Sequence, residues 1–206
     1  MKIILENTGK KYNRDWIFKG ISTEFNSNDS IVVSGSNGSG KSTLLKLISG
    51  FETPSEGSIH YSEGKKISSD NIYQKVAYTS PYIGVFEDYT IEELLGFYRK
   101  FKPMKNNLSL DKFIDTIELN KAKEKTLKQF SSGMKQRVKL GLSILSNSPI
   151  LLLDEPTSNL DKNAIFWYQN LIQNNLENRI VVVASNNQKD ESFFCNRSIK
   201  IEDYKH

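Results

Sequence analysis

The sequence predicts an α/β fold built on a parallel sheet, and three observations carry that prediction. Short β-branched runs at 31–34, 150–153 and 180–184 are almost uninterrupted in their apolar character, the pattern of strands buried on both faces. Each is followed by a segment with helical spacing, at 41–48, 161–175 and 188–194. Strands that alternate with helices pair in parallel, because the crossover returns the chain to the same end of the sheet. A further run at 2–6 reads as an N-terminal strand.

The middle of the chain breaks this alternation. Thr90-Ile91-Glu92-Glu93 has the Thr-x-x-Glu form of a capping box, in which hydroxyl and carboxylate each satisfy an orphan backbone donor. Leu94, Leu95, Phe97, Tyr98 and Phe101 then form a helical apolar stripe. A second helix is expected over 110–119, from Phe113, Ile114 and Ile117, and a third over 132–146. The reading is a single domain over 1–206 with a helical insertion at 82–146. Lysine and arginine crowd the insertion (Arg99, Lys100, Lys112, Lys121), which suits a solvated face or contact with an anionic membrane surface.

Composition narrows the classes. Among 206 residues, 28 Lys and Arg face 24 Asp and Glu, and the net charge of +4 is spread along the chain. No basic arm stands out, so no nucleic-acid partner is expected. The single cysteine, Cys195, excludes an intrachain disulfide framework and suits a reducing compartment. No apolar run approaches the roughly 20 residues of a membrane-spanning helix. Glu6 arrives too early for a signal peptide. A soluble, intracellular chain is the expectation.

The chemistry concentrates after the 31–34 strand. Gly35-Ser36-Asn37-Gly38-Ser39-Gly40-Lys41-Ser42 fits G-x-x-x-x-G-K-[ST], with a strand before it and a helix after it. Glycines let successive N–H groups turn inward around phosphate oxygens, and the helix N-terminus adds partial positive charge. Lys41 is placed to reach the β- and γ-phosphates, Ser42 offers a hydroxyl to Mg²⁺, and Thr43 extends the donor set. The loop predicts nucleoside triphosphate binding. The 150–153 strand ends in Asp154 and Glu155. Asp154 suits the oxygen-rich shell of Mg²⁺, and Glu155 is placed to orient and deprotonate an attacking water.

Two further segments make the pattern more specific. Phe130-Ser131-Ser132-Gly133-Met134-Lys135-Gln136-Arg137 precedes a helix, and Pro156-Thr157-Ser158-Asn159-Leu160-Asp161 follows the acidic pair. With these in order, the sequence resembles the ATP-binding subunits of ABC transporters over nearly its whole length. The resemblance implies a P-loop NTPase core with a mostly parallel sheet, an N-terminal antiparallel β portion and an inserted helical subdomain. It implies ATP and Mg²⁺ as cofactors, with Tyr12 stacking on adenine and Trp16 and Phe18 as nearby alternatives. Two such domains associate head to tail in the family. Ser131 and the Gly133 N–H would then touch the γ-phosphate held by a second copy or a paralogous subunit, and Asp161 would cross the interface. A separate transmembrane permease would complete the transporter, with this chain cytoplasmic and peripheral on the inner face of the cell membrane. The alternative is a slow or non-hydrolysing nucleotide switch with a regulatory role outside transport.

Three positions depart from the family pattern. Its usual Leu-Ser-Gly-Gly-Gln signature reads Phe130-Ser131-Ser132-Gly133-Met134 here. The glutamine upstream of Thr90 aligns with Pro81, which has no side-chain donor or acceptor, leaving Thr79 or Ser80 as candidates acting through a water. Ser185-Asn186-Asn187 stands where the family has Thr-His-Asp. Asn186 can donate a hydrogen bond to the γ-phosphate but cannot carry a proton. ATP hydrolysis is therefore expected to be real but slow.

Overall fold

Residues 1–186 and 189–205 are described in the computed structural model, and two sheets organise them. The first is antiparallel and contains β1 (Lys2–Tyr12), β2 (Asp15–Asn26), β4 (Glu56–Glu63) and β5 (Lys65–Ile67), in the order β2-β1-β4-β5. Tyr12 pairs with Asp15 across a two-residue turn, and Asn13 there takes φ 54°. A tight hairpin needs this positive φ, and asparagine tolerates it. The inward residues of β2, among them Phe18, Ile21 and Phe25, are fully buried.

The second sheet is entirely parallel and holds β3 (Ser30–Ser34), β6 (Val76–Thr79), β7 (Ile150–Asp154), β8 (Ile180–Ser185) and β9 (Arg197–Lys200). Its order is β6-β7-β8-β3-β9. Every residue of β7 and β8 is buried, which explains their unbroken apolar runs. β7 sends Ile150 and Leu152 to one core, and Leu151 and Leu153 to another. The first core also holds Ile3, Leu5 and Phe25 of the antiparallel sheet and Leu44 and Ile48 of α1 (Lys41–Ile48).

The second core joins the opposite face of the sheet to α2 (Ile91–Arg99), α3 (Leu110–Thr116), α4 (Ser132–Ile144) and α5 (Lys162–Gln173). The capping box of α2 forms as expected: Thr90 N–H donates to Glu93 at 2.8 Å, and Glu93 N–H to Thr90 Oγ1 at 3.3 Å. Two helices are shorter than their periodicity suggested. α3 stops at Thr116, and α6 (Lys189–Ser192) covers only part of 188–194, of which Gln188 lies outside the described residues. Arg179, 2% exposed, donates to the carbonyls of Ile144, Ser146 and Ser148, fastening the C-terminal end of α4 to the start of β8.

Because the second sheet is parallel, its strands deliver their C-terminal ends to one edge. β3 runs into the glycine-rich loop, β7 into Asp154-Glu155, β8 into Asn186 and β6 into Ser80-Pro81-Tyr82. In open α/β sheets ligands bind at that edge. Among the described residues no helix is long and apolar enough to cross a membrane.

Candidate active site

The loop between β3 and α1 is shaped by glycine and closed by lysine. Gly40 takes φ 110°, and a Cβ there would lie 2.5 Å from Ile17 Cγ2, so neither backbone nor space admits a side chain. Lys41 is 5% exposed. Its Nζ bends back over the loop and donates to the carbonyls of Gly35 at 2.9 Å and Ser36 at 3.0 Å. A pocket of about 290 Å³ results, lined by loop residues 37–43 together with Ile17, Tyr82 and Glu155. Gly35 and Ser36 form the back of the loop rather than the pocket wall. Ser39 Oγ is buried with no hydrogen-bond partner among the described residues.

A carboxylate braces that back. Glu202, in the 3₁₀ turn Ile201–Tyr204, accepts from Ser36 N–H at 2.7 Å and from Ser36 Oγ at 3.1 Å. The Ser36 N–H holds its carboxyl below the usual range. Its sequence context, in a polar C-terminal stretch, carries no signal of this contact.

Asp154 ends β7 and is 2% exposed. Burial raises its carboxyl above the ordinary range, opposed by the Ser42 hydroxyl and by Tyr78, whose hydroxyl lies 3.3 Å from Oδ2. A buried carboxylate beside a serine hydroxyl at a phosphate pocket is a hard-oxygen donor set, and it fits Mg²⁺. Among the described residues no group of three or more His, Cys, Asp or Glu could hold a metal alone. Neutralising Asp154 has a thermodynamic signature. Its folded-state pKa lies above the unfolded one, so the charged form costs stability at neutral pH. Asp154→Asn is expected to raise the melting temperature of the nucleotide-free protein at neutral pH. The advantage should shrink as pH falls through the raised pKa, where the native carboxyl is also neutral; calorimetry at two pH values checks it.

Glu155, one residue on, has φ 44°, a left-handed conformation unusual for a residue with a Cβ. Its N–H donates to Ala184 O at 2.9 Å, which fixes it between β7 and β8. Its carboxylate lines the phosphate pocket and accepts a long 3.5 Å bond from Ser158 Oγ. Behind it lies a second carboxylate that sequence reasoning missed. Glu191, 1% exposed, accepts from Thr157 N–H at 3.3 Å, Thr157 Oγ1 at 2.7 Å and the Ser185 hydroxyl. It ties the segment after Glu155 to the end of β8. Burial raises its carboxyl as well. In the polar run 188–194 nothing distinguished it from a solvated side chain.

The remaining site candidates fall into two groups. Tyr12 ends β1 with its hydroxyl donating to Glu52 at 2.6 Å, and its ring is 43% exposed. Asn186 is exposed directly after β8 and is not among the pocket-lining residues, while Asn187 lies outside the described residues. Ser131, Gly133 and Asp161 do not line the phosphate pocket of their own chain. Ser131 caps α4, accepting from Met134 N–H at 3.2 Å, and Asp161 caps α5, accepting from Ala164 N–H at 2.8 Å. Gly133 packs so closely that a Cβ would lie 2.9 Å from the Asn159 carbonyl oxygen, which couples the signature segment to 158–161.

The suggested substitutes for the missing glutamine are corrected by the structure. Thr79 Oγ1 is buried against Ser143 Oγ and the Lys139 carbonyl, and the Ser80 hydroxyl accepts from Tyr82 N–H. Both side chains are committed to the protein. The residue of this crossing that reaches the pocket is Tyr82.

A phosphate loop, an acidic strand tip and a serine-capped signature helix stand together in one α/β framework, and the family model described as ABC transporter matches residues 18–158. The chain belongs to the ABC transporter family, as its nucleotide-binding domain. Among its ABC relatives, the cytochrome c biogenesis ATP-binding export protein of Haemophilus influenzae is 27% identical over 190 residues, covering 91% of this chain and 90% of that one. The sulfate/thiosulfate import ATP-binding protein of Mesostigma viride is 29% identical over 197 residues, covering 92% of this chain and 56% of the other. The chain thus spans about half the length of such import relatives. A putative ABC transporter ATP-binding protein from Pyrococcus furiosus has the same fold at a TM-score of 0.84, with 23% identity and full coverage of both chains. The P-loop NTPase architecture and the parallel sheet accord with that likeness.

Proposed function

We propose that this chain is a single ATPase domain, with the helices of 82–146 as its inserted subdomain, and that it binds Mg²⁺-ATP between two head-to-tail copies. Hydrolysis at that interface powers transport of a substrate through a separate membrane-spanning permease. One observation carries the reading. The phosphate pocket of a chain is lined by loop residues 37–43 and Glu155, but by none of Ser131, Gly133 or Asp161. Those three lie at or beside the N-termini of α4 and α5. A helix N-terminus favours an anion, so a second copy presenting α4 would complete a half-built site.

The chemistry follows from the residues. Lys41 and the inward N–H groups of 38–43 hold the β- and γ-phosphates, and Tyr12 supplies an aromatic face for adenine. Ser42 and Asp154 would hold Mg²⁺, which supplies positive charge that spreads over the phosphate oxygens. Glu155 orients a water and takes its proton as the water oxygen bonds to the γ-phosphorus and the bond to the ADP oxygen breaks. ADP and inorganic phosphate leave. Pro81 and Asn186 supply neither a glutamine amide nor an imidazole, which makes slow turnover the expected regime.

The permease partner has a surface to meet. Phe97 of α2, Phe86 in the loop before it and Phe101 just after it form an aromatic ladder, with centroids 5.1 and 5.2 Å apart, and Phe86 and Phe101 are more than half exposed. Exposed aromatics clustered in this way mark interaction sites. Docking there would place the chain on the inner face of a membrane. The relatives named above serve import and export alike, so the substrate belongs to the permease.

A dilution series tests the shared site. If two copies build it, phosphate release per chain rises with protein concentration and levels off as ATP drives a dimer seen by analytical ultracentrifugation. Constant activity per chain in a preparation that stays monomeric with ATP would overturn the head-to-tail reading.

A further inference from the structure

The chain leaves β6 at Thr79 and crosses the edge of the phosphate pocket as Ser80-Pro81-Tyr82-Ile83. Pro81 brings no polar side chain to that crossing. Tyr82 does: it lines the pocket together with the loop at 37–43 and Glu155. Its side chain is 85% exposed, and among the described residues its hydroxyl has no partner.

The backbone beneath Tyr82 is held in an unusual way. Tyr82 N–H donates to Ser80 Oγ at 3.3 Å and Ile83 N–H to Ser80 O at 3.2 Å, closing a turn. Lys139, on α4, then spends its ammonium on the carbonyls of that turn: Ser80 at 3.0 Å, Pro81 at 3.2 Å and Ile83 at 3.3 Å. An ammonium has three donors, so all of them are used. Among the described residues no carboxylate forms an ion pair with Lys139. A second tie runs beside it, since Thr79 Oγ1 bonds both Ser143 Oγ and the Lys139 carbonyl of the same helix. Burial pushes the Lys139 amine below its ordinary range, the cost of taking a hydrated cation to carbonyls alone. The turn that presents Tyr82 is therefore fastened to α4, whose N-terminal end carries Ser131 and Gly133.

We propose that Tyr82 is a catalytic residue whose hydroxyl hydrogen-bonds the γ-phosphate of ATP, and that Lys139 is a positioning residue holding it there from the signature helix. A phenol donates one hydrogen bond and tolerates crowded phosphate oxygens without adding charge. Pro81, its neighbour, has no side-chain group able to make such a bond. Because the contact is to the γ-phosphate, it discriminates ATP from ADP. This assignment rests on the reading of the pocket as an ATP site.

Equilibrium titration with ATP and with ADP, alongside phosphate release, tests it. A hydrogen bond to a charged group is worth about 1.5–3 kcal/mol, so Tyr82→Phe is expected to weaken ATP about 10-fold or more while leaving ADP affinity unchanged. Lys139→Met should lower ATP affinity in the same sense, with ADP binding again preserved as evidence of an intact fold. Lys139→Arg should recover part of the loss. The double variant should be no worse than Tyr82→Phe alone, because Lys139 acts through Tyr82. Equal ATP-to-ADP preference in wild type and Tyr82→Phe would overturn the assignment of Tyr82. Additive losses in the double variant would overturn that of Lys139. A wild-type protein that binds neither nucleotide would instead overturn the ATP-site reading beneath both.

Discussion

Glu155→Gln is expected to lower ATP turnover by roughly 10²–10³-fold while leaving ATP binding intact, the scale of losing a general base. The substitution is close to isosteric and keeps the Ala184-bound backbone, the left-handed φ and an oxygen for the Ser158 contact. What it removes is an atom able to take the proton of water. ATP should then be bound and not consumed, so the dimer that hydrolysis would dissolve should accumulate in gel filtration. Phosphate release at saturating ATP is the measurement. Turnover equal to wild type would remove Glu155 from the reaction and leave the pocket as a nucleotide switch.

Lys41→Ala is expected to fail earlier, at binding. The Lys41 ammonium holds two loop carbonyls and, in the proposed cycle, faces the phosphates. Its loss removes charge-assisted bonds worth about 1.5–3 kcal/mol each and frees the back of the loop. ATP affinity should fall by about 10²-fold or more in an equilibrium titration. Lys41→Arg offers little rescue, because a planar guanidinium does not reproduce the compact ammonium that meets the Gly35 and Ser36 carbonyls. The two variants separate binding from chemistry, since one retains nucleotide and the other does not. Lys41→Ala with wild-type affinity would disprove the phosphate assignment.

Much of this was legible in local pattern. The glycine loop, the acidic strand tip and α1 are written in short contiguous stretches, and buried parallel strands advertise themselves by continuous apolar runs. The strands β2, β4, β5, β6 and β9 were not read: lysine, serine, glutamate and arginine break the apolar alternation of four of them, and β6 is only the short run Val76–Thr79. Glu191 and Glu202 were hidden for a different reason. A carboxylate in a polar stretch looks solvated until the fold brings backbone N–H groups to it. The same holds for Lys139, whose partners lie more than 50 residues away along the chain. Thr79 and Ser80 were chemically reasonable substitutes for a glutamine, but the pleat and the following turn direct their hydroxyls into the protein.

The left-handed backbone at Glu155 sets stability against turnover at a single position. Holding a residue with a Cβ there costs on the order of 1 kcal/mol or more, a cost that Gly largely escapes and Asn reduces. Random variants of this protein sorted for heat tolerance alone should therefore enrich for Gly or Asn at 155, and such survivors would be inert. In the proposed cycle, the proton that Glu155 takes from water, not stability, accounts for glutamate just beyond β7.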